Sequence, residues 1–316
     1  MPFKKHYFSY GCLILFLSLS APLSAAKNPT VTLTPQKKKE IKSLVPLLHE
    51  KGHALIQAFL GPESSAVFEE EALFIDAFPF KDYPLYRVEN QGLFFVNDVN
   101  DTIKNVLRKG RAWEPGNRDL IKKYVVPGTL VLDVGSHVGT HTVTMSECAG
   151  KEGLVLAFEP SLTTYRELVH NLAANRCHNA LAIRSAVGKD QSYVDVIVSH
   201  PRNEGRKYVV KSSGGQDRTL QIPLDDLKLE NISFIKIDVE NMEADVLEGA
   251  KLTLQRCRPV ILIEIQGNGE RPVQLGENTK EMAKISKEKL KSLGYKLKFI
   301  HGADYLAFPI ESLDEP

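Results

Sequence analysis

Five short apolar runs separated by stretches of helical character constrain this chain more than any other feature. The runs lie at Leu130–Val134, Leu154–Phe158, Ala182–Val187, Ile232–Val239 and Val260–Ile265, and helical spacing recurs over 140–149, 161–175, 243–255 and 280–293. Wholly apolar runs of this length read as strands buried on both faces. Parallel neighbours need a crossover that an intervening helix supplies. The alternation therefore predicts an α/β fold, a mostly parallel sheet with helices on both faces. Two further strand-like runs, Tyr295–Ile300 and Asp304–Phe308, flank His301-Gly302-Ala303 and predict a hairpin that adds an antiparallel strand at the C-terminus. Upstream, Tyr86–Glu89 and Leu93–Val96 flank Asn90-Gln91-Gly92, another hairpin signal. A strand at Tyr193–Val198 followed by a polar loop from Pro201 to Arg218 reads as an insertion.

The N-terminus has a different character. Lys4, Lys5 and His6 precede the apolar run Cys12–Ala21, and Ser24-Ala25-Ala26 follows, the pattern of an export signal cut after Ala26. The run is shorter than the roughly 18–20 residues of a membrane span, so a cleaved signal is expected, with an uncleaved N-terminal anchor as the alternative. Residues 27 to about 35 read as a polar linker. Apolar residues from Ile41 to Leu60 then recur at helical spacing, broken or kinked near Pro46 and ended by Gly61-Pro62. The resulting division is a signal peptide at 1–26, a linker and helical accessory region at 27–82, a main domain at 83–310 and a tail at 311–316. With 40 basic against 39 acidic side chains, nothing in the overall charge draws the chain to nucleic acid. Cys148, Cys177 and Cys257 match no zinc spacing and read as free thiols.

Function is argued from Leu132-Asp133-Val134-Gly135-Ser136-His137-Val138-Gly139-Thr140, a strand end, a glycine turn and a helix start. Such a turn aims backbone amides at a ligand. A dinucleotide fingerprint needs glycine where His137 and Thr140 stand, and a phosphate-binding loop needs Lys-Ser or Lys-Thr after Gly139. The remaining pattern, Asp-x-Gly-x-x-x-Gly, suits S-adenosylmethionine, which has no phosphates and carries positive charges that favour a carboxylate such as Asp133. Glu159, ending the next strand, is placed to grip ribose hydroxyls. Gly135, Ser136, His137 and Gly139 complete the cofactor turn.

Further motifs follow in order: Phe158-Glu159-Pro160, Leu224-Asp225-Asp226-Leu227, Ile235-Lys236-Ile237-Asp238-Val239-Glu240, Glu264 after Val260–Ile263, and Tyr305–Pro309. With Trp113-Glu114 and the Asn171, Asn175, Asn179 series, they make the chain resemble the FkbM family of S-adenosylmethionine-dependent methyltransferases from Tyr83 to Pro309. The resemblance implies a class I methyltransferase (Rossmann-like) seven-stranded sheet and methyl transfer to a hydroxyl on a carbohydrate, glycolipid or polyketide-like acceptor. It adds Glu114, Ser185 and Ala186 to the cofactor set. The chain departs from the family at Ser136-His137, where Ala-Asn is common, and at Glu240-Asn241-Met242-Glu243, where Glu-Gly-Ala-Glu is usual.

Within Ile235–Glu240, alternation places Lys236, Asp238 and Glu240 on one side of the strand if the strand persists. Methyl transfer to oxygen gains from positioning and from a group that takes the hydroxyl proton. Asp238 is the first candidate base, with cofactor contact as its other reading; Glu240 and Glu264 come second. Lys236 would orient one of them or steady the developing oxyanion, or form a structural ion pair. His137 and His141 share a helical spacing, but no acidic partner sits at a zinc-motif distance in sequence, so no metal is expected. Arg202, Arg206, Lys207, Tyr208, Lys211 and Gly214-Gly215 are either a lid over the acceptor or a solvated insertion. Competing functions are an exported binding module that has lost catalysis and a nucleic-acid methyltransferase.

Overall fold

The computed structural model describes residues 29–60, 83–198, 207–267 and 279–313. The signal, Arg202, Arg206 and residues 314–316 lie outside them. Strand β1 (Thr30–Val31) adds to the hairpin of β2 (Leu85–Val88) and β3 (Gly92–Phe95) in a three-stranded antiparallel sheet. Part of the expected linker is thus a strand, because the Arg87 amide on the open side of β2 finds the Pro29 carbonyl at 2.8 Å. Helix α1 (Pro35–Leu60) runs through Pro46 instead of breaking there. Proline withdraws only its own amide from the helix, and buried Ile41, Leu44, Val45 and Leu48 hold the surrounding turns. Helices α2 (Thr102–Leu107) and α3 (Pro115–Tyr124) complete this region.

The main sheet uses β4 (Leu130–Val134), β5 (Leu154–Phe158) and β6 (Ala180–Ile183), with helices α4 (Thr140–Ala149) and α5 (Leu162–Ala174) as crossovers. Beyond an inserted region come β11 (Ile232–Ile237), α6 (Glu243–Gly249), α7 (Lys251–Cys257), β12 (Val260–Glu264), α8 (Thr279–Ser292), β13 (Tyr295–His301) and β14 (Asp304–Pro309). The spatial order is β13-β14-β12-β11-β4-β5-β6. Strand β14 alone runs antiparallel, slotted between β12 and β13. This is a seven-stranded, mostly parallel sheet with the one antiparallel strand that the C-terminal hairpin predicts. Alternation along each strand divides its side chains between two cores. Val131, Val155, Phe234 and Leu262 pack on one face with Val143 and Leu168. Leu132, Leu156, Ile235 and Ile263 pack on the other with Val246, Leu254 and Leu290.

Two expected strands are shorter than the sequence suggested. The run Ala182–Val187 is interrupted at Arg184-Ser185: Arg184 donates to Asp217 Oδ1 at 2.8 Å, and the Thr219 hydroxyl donates to the Arg184 carbonyl. Ala186–Val187 then forms β7 in a second sheet, ordered β7-β10-β8-β9, with β8 (Ser192–Val198), β9 (Lys207–Lys211) and β10 (Arg218–Ile222). Strand β11 stops at Ile237, because Glu240 and Asn241 adopt left-handed backbone conformations (φ 51° and 75°) that no strand accommodates.

At the far edge of the main sheet, α1 lies against β6. A Cβ on Gly52 would stand 2.1 Å from the Ala182 carbonyl oxygen, so only glycine permits this approach. The neighbouring carbonyls of Asn179 and Ile183 accept bonds from Val155 and Glu159, so the Ala182 carbonyl points away from β5. Among the described residues no helix is long and apolar enough to cross a membrane.

Candidate functional site

The glycine turn is set by contacts of its own. Gly135 has φ 85°, and a Cβ there would meet the Asp238 carbonyl oxygen at 1.8 Å. The turn therefore lies directly on the end of β11. Gly139 has φ 87° and precedes α4, where a Cβ would crowd Leu168. His137 lies between them in a left-handed conformation, its ring Nε2 3.9 Å from Asp101. Ser136 turns inward and donates to the Asp133 carbonyl at 2.7 Å, closing the turn.

Glu159 is buried at the end of β5. Its Oε2 accepts from the His137 amide at 2.9 Å, and its Oε1 accepts from the Ser161 amide at 3.0 Å and the Thr164 hydroxyl at 2.7 Å. Burial pushes its carboxyl above the ordinary range, although the nearby Lys207 charge and these hydrogen bonds oppose the shift. Lys207 reaches across from β9 to donate to Ser161 Oγ at 2.9 Å. The inserted sheet is thus a wall of the site, and Tyr208 and Val209 stand beside Lys207 on it.

A cleft of about 760 Å³, counting space open to solvent, joins these parts. Of the candidate residues, Gly135, His137, Glu159, Ser185, Ala186, Asp238 and Glu240 line it, and Ile103, Val134, Phe158, Val196 and Met242 add an apolar surface. Ser185 also donates its hydroxyl to the Ala186 and Leu220 carbonyls. Glu114, Asp133, Ser136, Gly139, Lys236 and Glu264 are not on its wall.

Several of those residues instead form a polar cluster beside the cleft. Register pairs Asp133 of β4 with Lys236 of β11, and Glu264 of β12 with Asp304 of β14. Asp238 follows Ile237, the partner of Ile263, so Asp238, Glu264 and Asp304 stand on neighbouring strands at the same sheet end. Lys236 Nζ meets Asp238 Oδ2 at 2.9 Å. Burial opposes the lysine's charge, but Asp238, Asp133 and Glu114 outweigh it and hold Lys236 firmly protonated. For Asp238 burial also raises the carboxyl, while Lys236 and a hydrogen bond with Glu264 bring it below its usual value. Glu264 is driven far upward by burial and by the charge and hydrogen bond of Asp238, so it carries the proton of the pair. The strand ends at Ile237, so alternation no longer relates Glu240 to Lys236 and Asp238; Glu240 stands instead with Asp238 on the cleft wall.

Above this row, Glu114 precedes α3 in a left-handed conformation and meets His141 Nε2 at 3.1 Å. Burial would raise its carboxyl, but His141 and Lys236 keep it below the normal value. Asn117 donates one amide hydrogen to Glu114 at 3.0 Å and the other to Asp304 at 2.9 Å. His301 stands 3.2 Å from the same Asp304. His137 and His141 thus face different acids, and among the described residues no group could hold a metal ion. Sequence reasoning passed over Asn117, Asp304 and the wall from α2. Their positions in the chain carry no periodic signal; only tertiary packing brings them to the site.

A model of the FkbM methyltransferase domain matches residues 133–297, more than half the chain. The chain belongs to the FkbM methyltransferase family. S-adenosylmethionine is accordingly its cofactor. No curated protein matches the chain. Among solved structures, the FkbM methyltransferase of Methylobacillus flagellatus is 16% identical with a TM-score of 0.37, covering 60% of this chain and 50% of that one. This chain therefore spans half the length of that protein. A SAM-dependent methyltransferase from Aquifex aeolicus is 13% identical, with TM-score 0.39 and coverage of 66% and 94%. Fibrillarin of Aeropyrum pernix, a structure with natively bound S-adenosyl-L-methionine, is 16% identical, with TM-score 0.38 and coverage of 72% and 93%.

Both departures from the common FkbM pattern fall where the backbone is left-handed. His137 replaces the usual Asn at φ 49°, and Asn241 replaces the usual Gly at φ 75°. Asn and His are among the non-glycine residues that most often adopt this conformation. The Asn241 amide also donates to Glu243 Oε1 at 3.0 Å, which ties the loop beside Asp238 to the start of α6.

Proposed function

We propose that this FkbM protein is an O-methyltransferase acting on a hydroxyl of a carbohydrate, glycolipid or polyketide-like acceptor, and that residues 1–26 direct its export. The observation that carries the reading is the ionised Asp238, held by Lys236 on the wall of the cleft that also contains Glu159. The site fits the cofactor. Glu159 has lone pairs left for ribose hydroxyls beyond its three donors. Asp133 Oδ1 and Asn117 Oδ1 are buried acceptors without a hydrogen-bond partner, and with Glu114 they suit a cationic ammonium.

When bound, S-adenosylmethionine supplies a methyl group on a positively charged sulfur. The chain's own residues do the rest. The Gly135 turn and the apolar wall place a ligand against Asp238 and restrict water. Asp238 accepts a hydrogen bond from the acceptor hydroxyl, aligning its oxygen, and takes its proton as the oxygen becomes bonded. Lys236 keeps Asp238 in place and ionised.

Calorimetric titration of the purified protein with S-adenosylmethionine tests the reading, with Glu159→Ala beside it. Binding that weakens about ten- to hundredfold in the variant is expected from the loss of hydrogen bonds to a charged group. No binding by the unaltered protein would defeat the enzyme reading, whereas an unaffected variant would defeat only the ribose assignment. N-terminal sequencing of the cell-made protein tests export; a chain beginning near Lys27 is expected.

A further inference from the structure

The cluster at the end of the sheet contains far more acid than base. Among the described residues, Asp133, Asp238, Glu264, Asp304 and Glu114 stand around a single lysine, Lys236, with His141 against Glu114 and His301 against Asp304. Asp238 and Glu264 lie on adjacent strands, hydrogen-bonded to each other, and the charges of Glu240 and Glu243 also bear on the pair. Two carboxyl groups in contact cannot both ionise cheaply, so without a further cation the pair retains one proton. Asp238 is on the cleft wall, so a ligand's positive charge there acts directly on this balance.

We propose that the Asp238–Glu264 pair releases its shared proton when cationic S-adenosylmethionine binds and captures the acceptor's proton during transfer. The inference rests on the cofactor reading above. The balance is complete without another reactant. The acceptor oxygen forms a bond to the methyl carbon as the carbon–sulfur bond breaks, and sulfur keeps that electron pair. The sulfur's positive charge disappears, the hydroxyl proton passes to the pair, and the local net charge is the same before and after. Burial in this row strongly penalises any change of net charge. The arrangement gives Glu264 a specific role: it lets the pair stand without its proton while the cationic donor is present and become strongly basic as the sulfur's charge disappears.

The test compares S-adenosylmethionine with S-adenosylhomocysteine, which lacks the positive sulfur but shares the amino acid and adenosine ends. Calorimetry at pH 8, in two buffers of different ionisation enthalpy, counts the protons exchanged on binding. About one more proton released for S-adenosylmethionine than for S-adenosylhomocysteine is expected. The ratio of their affinities should shift about tenfold per pH unit in favour of S-adenosylmethionine between about pH 7 and 9. Glu264→Gln should retain binding of both ligands and abolish both differences. Equal proton counts in the unaltered protein overturn the proposal, as does a difference that survives Glu264→Gln, which would move the proton to Glu243, Asp304 or a histidine. If Glu264→Gln does not fold, the pH series on the unaltered protein decides alone. Binding of neither ligand overturns the cofactor reading together with this proposal; binding of both with equal proton counts overturns this proposal alone.

Discussion

Replacing Gly135 by alanine should cost far more than replacing Gly128, although both glycines have positive φ (85° and 79°). Alanine in either place adopts an unfavourable left-handed backbone, about 1–2 kcal/mol. It also narrows the unfolded ensemble by a similar amount in both, so that contribution cancels in the comparison. At Gly128 nothing lies within 4 Å of the added methyl. At Gly135 the methyl would sit 1.8 Å from the Asp238 carbonyl oxygen, about 1.6 Å short of the 3.4 Å at which ordinary contact begins. The turn cannot yield that distance freely. Its Gly135 and Ser136 amides both bond to the Phe158 carbonyl, and the opposing Asp238 amide bonds to Val134, all at 2.9–3.0 Å. Losing one or two of these buried bonds costs about 1–3 kcal/mol each. We expect Gly135→Ala to be less stable than Gly128→Ala by about 3–5 kcal/mol, measured by urea unfolding with equal m-values. S-adenosylmethionine binding should be lost in Gly135→Ala and kept in Gly128→Ala. Equal stabilities would refute the close approach of the turn to β11.

Lys236→Met should destabilise the protein by about 3–5 kcal/mol at pH 8 by leaving Asp238 and Glu114 without their buried cation. Because Asp238's carboxyl is held at about 2 in the native site, that stabilisation is complete above the ordinary carboxylate range and is lost only as pH falls through the native value; unfolding curves for the two proteins should converge toward about pH 2. Lys104, fully buried on α2, meets Glu167 at 2.7 Å. Lys104→Met should cost about 3–5 kcal/mol, and adding Glu167→Gln, which still accepts from the Asn97 amide, should recover over half of it; simple additivity in the double variant would argue against the pair. His49, whose ring is bonded to Tyr165 at 2.8 Å, is brought down to about 3 by burial and the neighbouring His53. The unfolded chain takes up this proton below about pH 6.5 while the native one does not, so stability falls with acidification, by about 2 kcal/mol at pH 5. Hydrogen exchange of α1 should record the loss, and His49→Gln should flatten it.

The boundaries of β4 and β5 were legible residue by residue, because each is a continuous apolar run closed by a turn. The end of β11 was not. Hydropathy continues through Val239, while the left-handed backbone of Glu240 and Asn241 that follows the strand leaves no mark in hydropathy. Alternation therefore stops being a guide at Glu240, which stands with Asp238 on the cleft wall. Lys236 and Asp238 were found by alternation, yet Asn117 and Asp304, 187 residues apart in sequence, meet only through the folded sheet. The second sheet was legible as an insertion that either covers the acceptor or is solvated, and the choice needed the fold, since Lys207 reveals its place only when its ammonium reaches Ser161.

The absence of a side chain at Gly52 bears on solubility as well as packing. The outer edge of β6 presents backbone groups on which another extended chain could build, the usual start of edge-to-edge aggregation. With α1 laid over the Ala182 carbonyl, that template is covered by the protein's own helix. The opposite edge, β13, is guarded by another means, the exposed Lys296 and Lys298, whose like charges discourage a second copy from pairing. The accessory helix is therefore a steric guard for a sheet whose other margin is defended by charge.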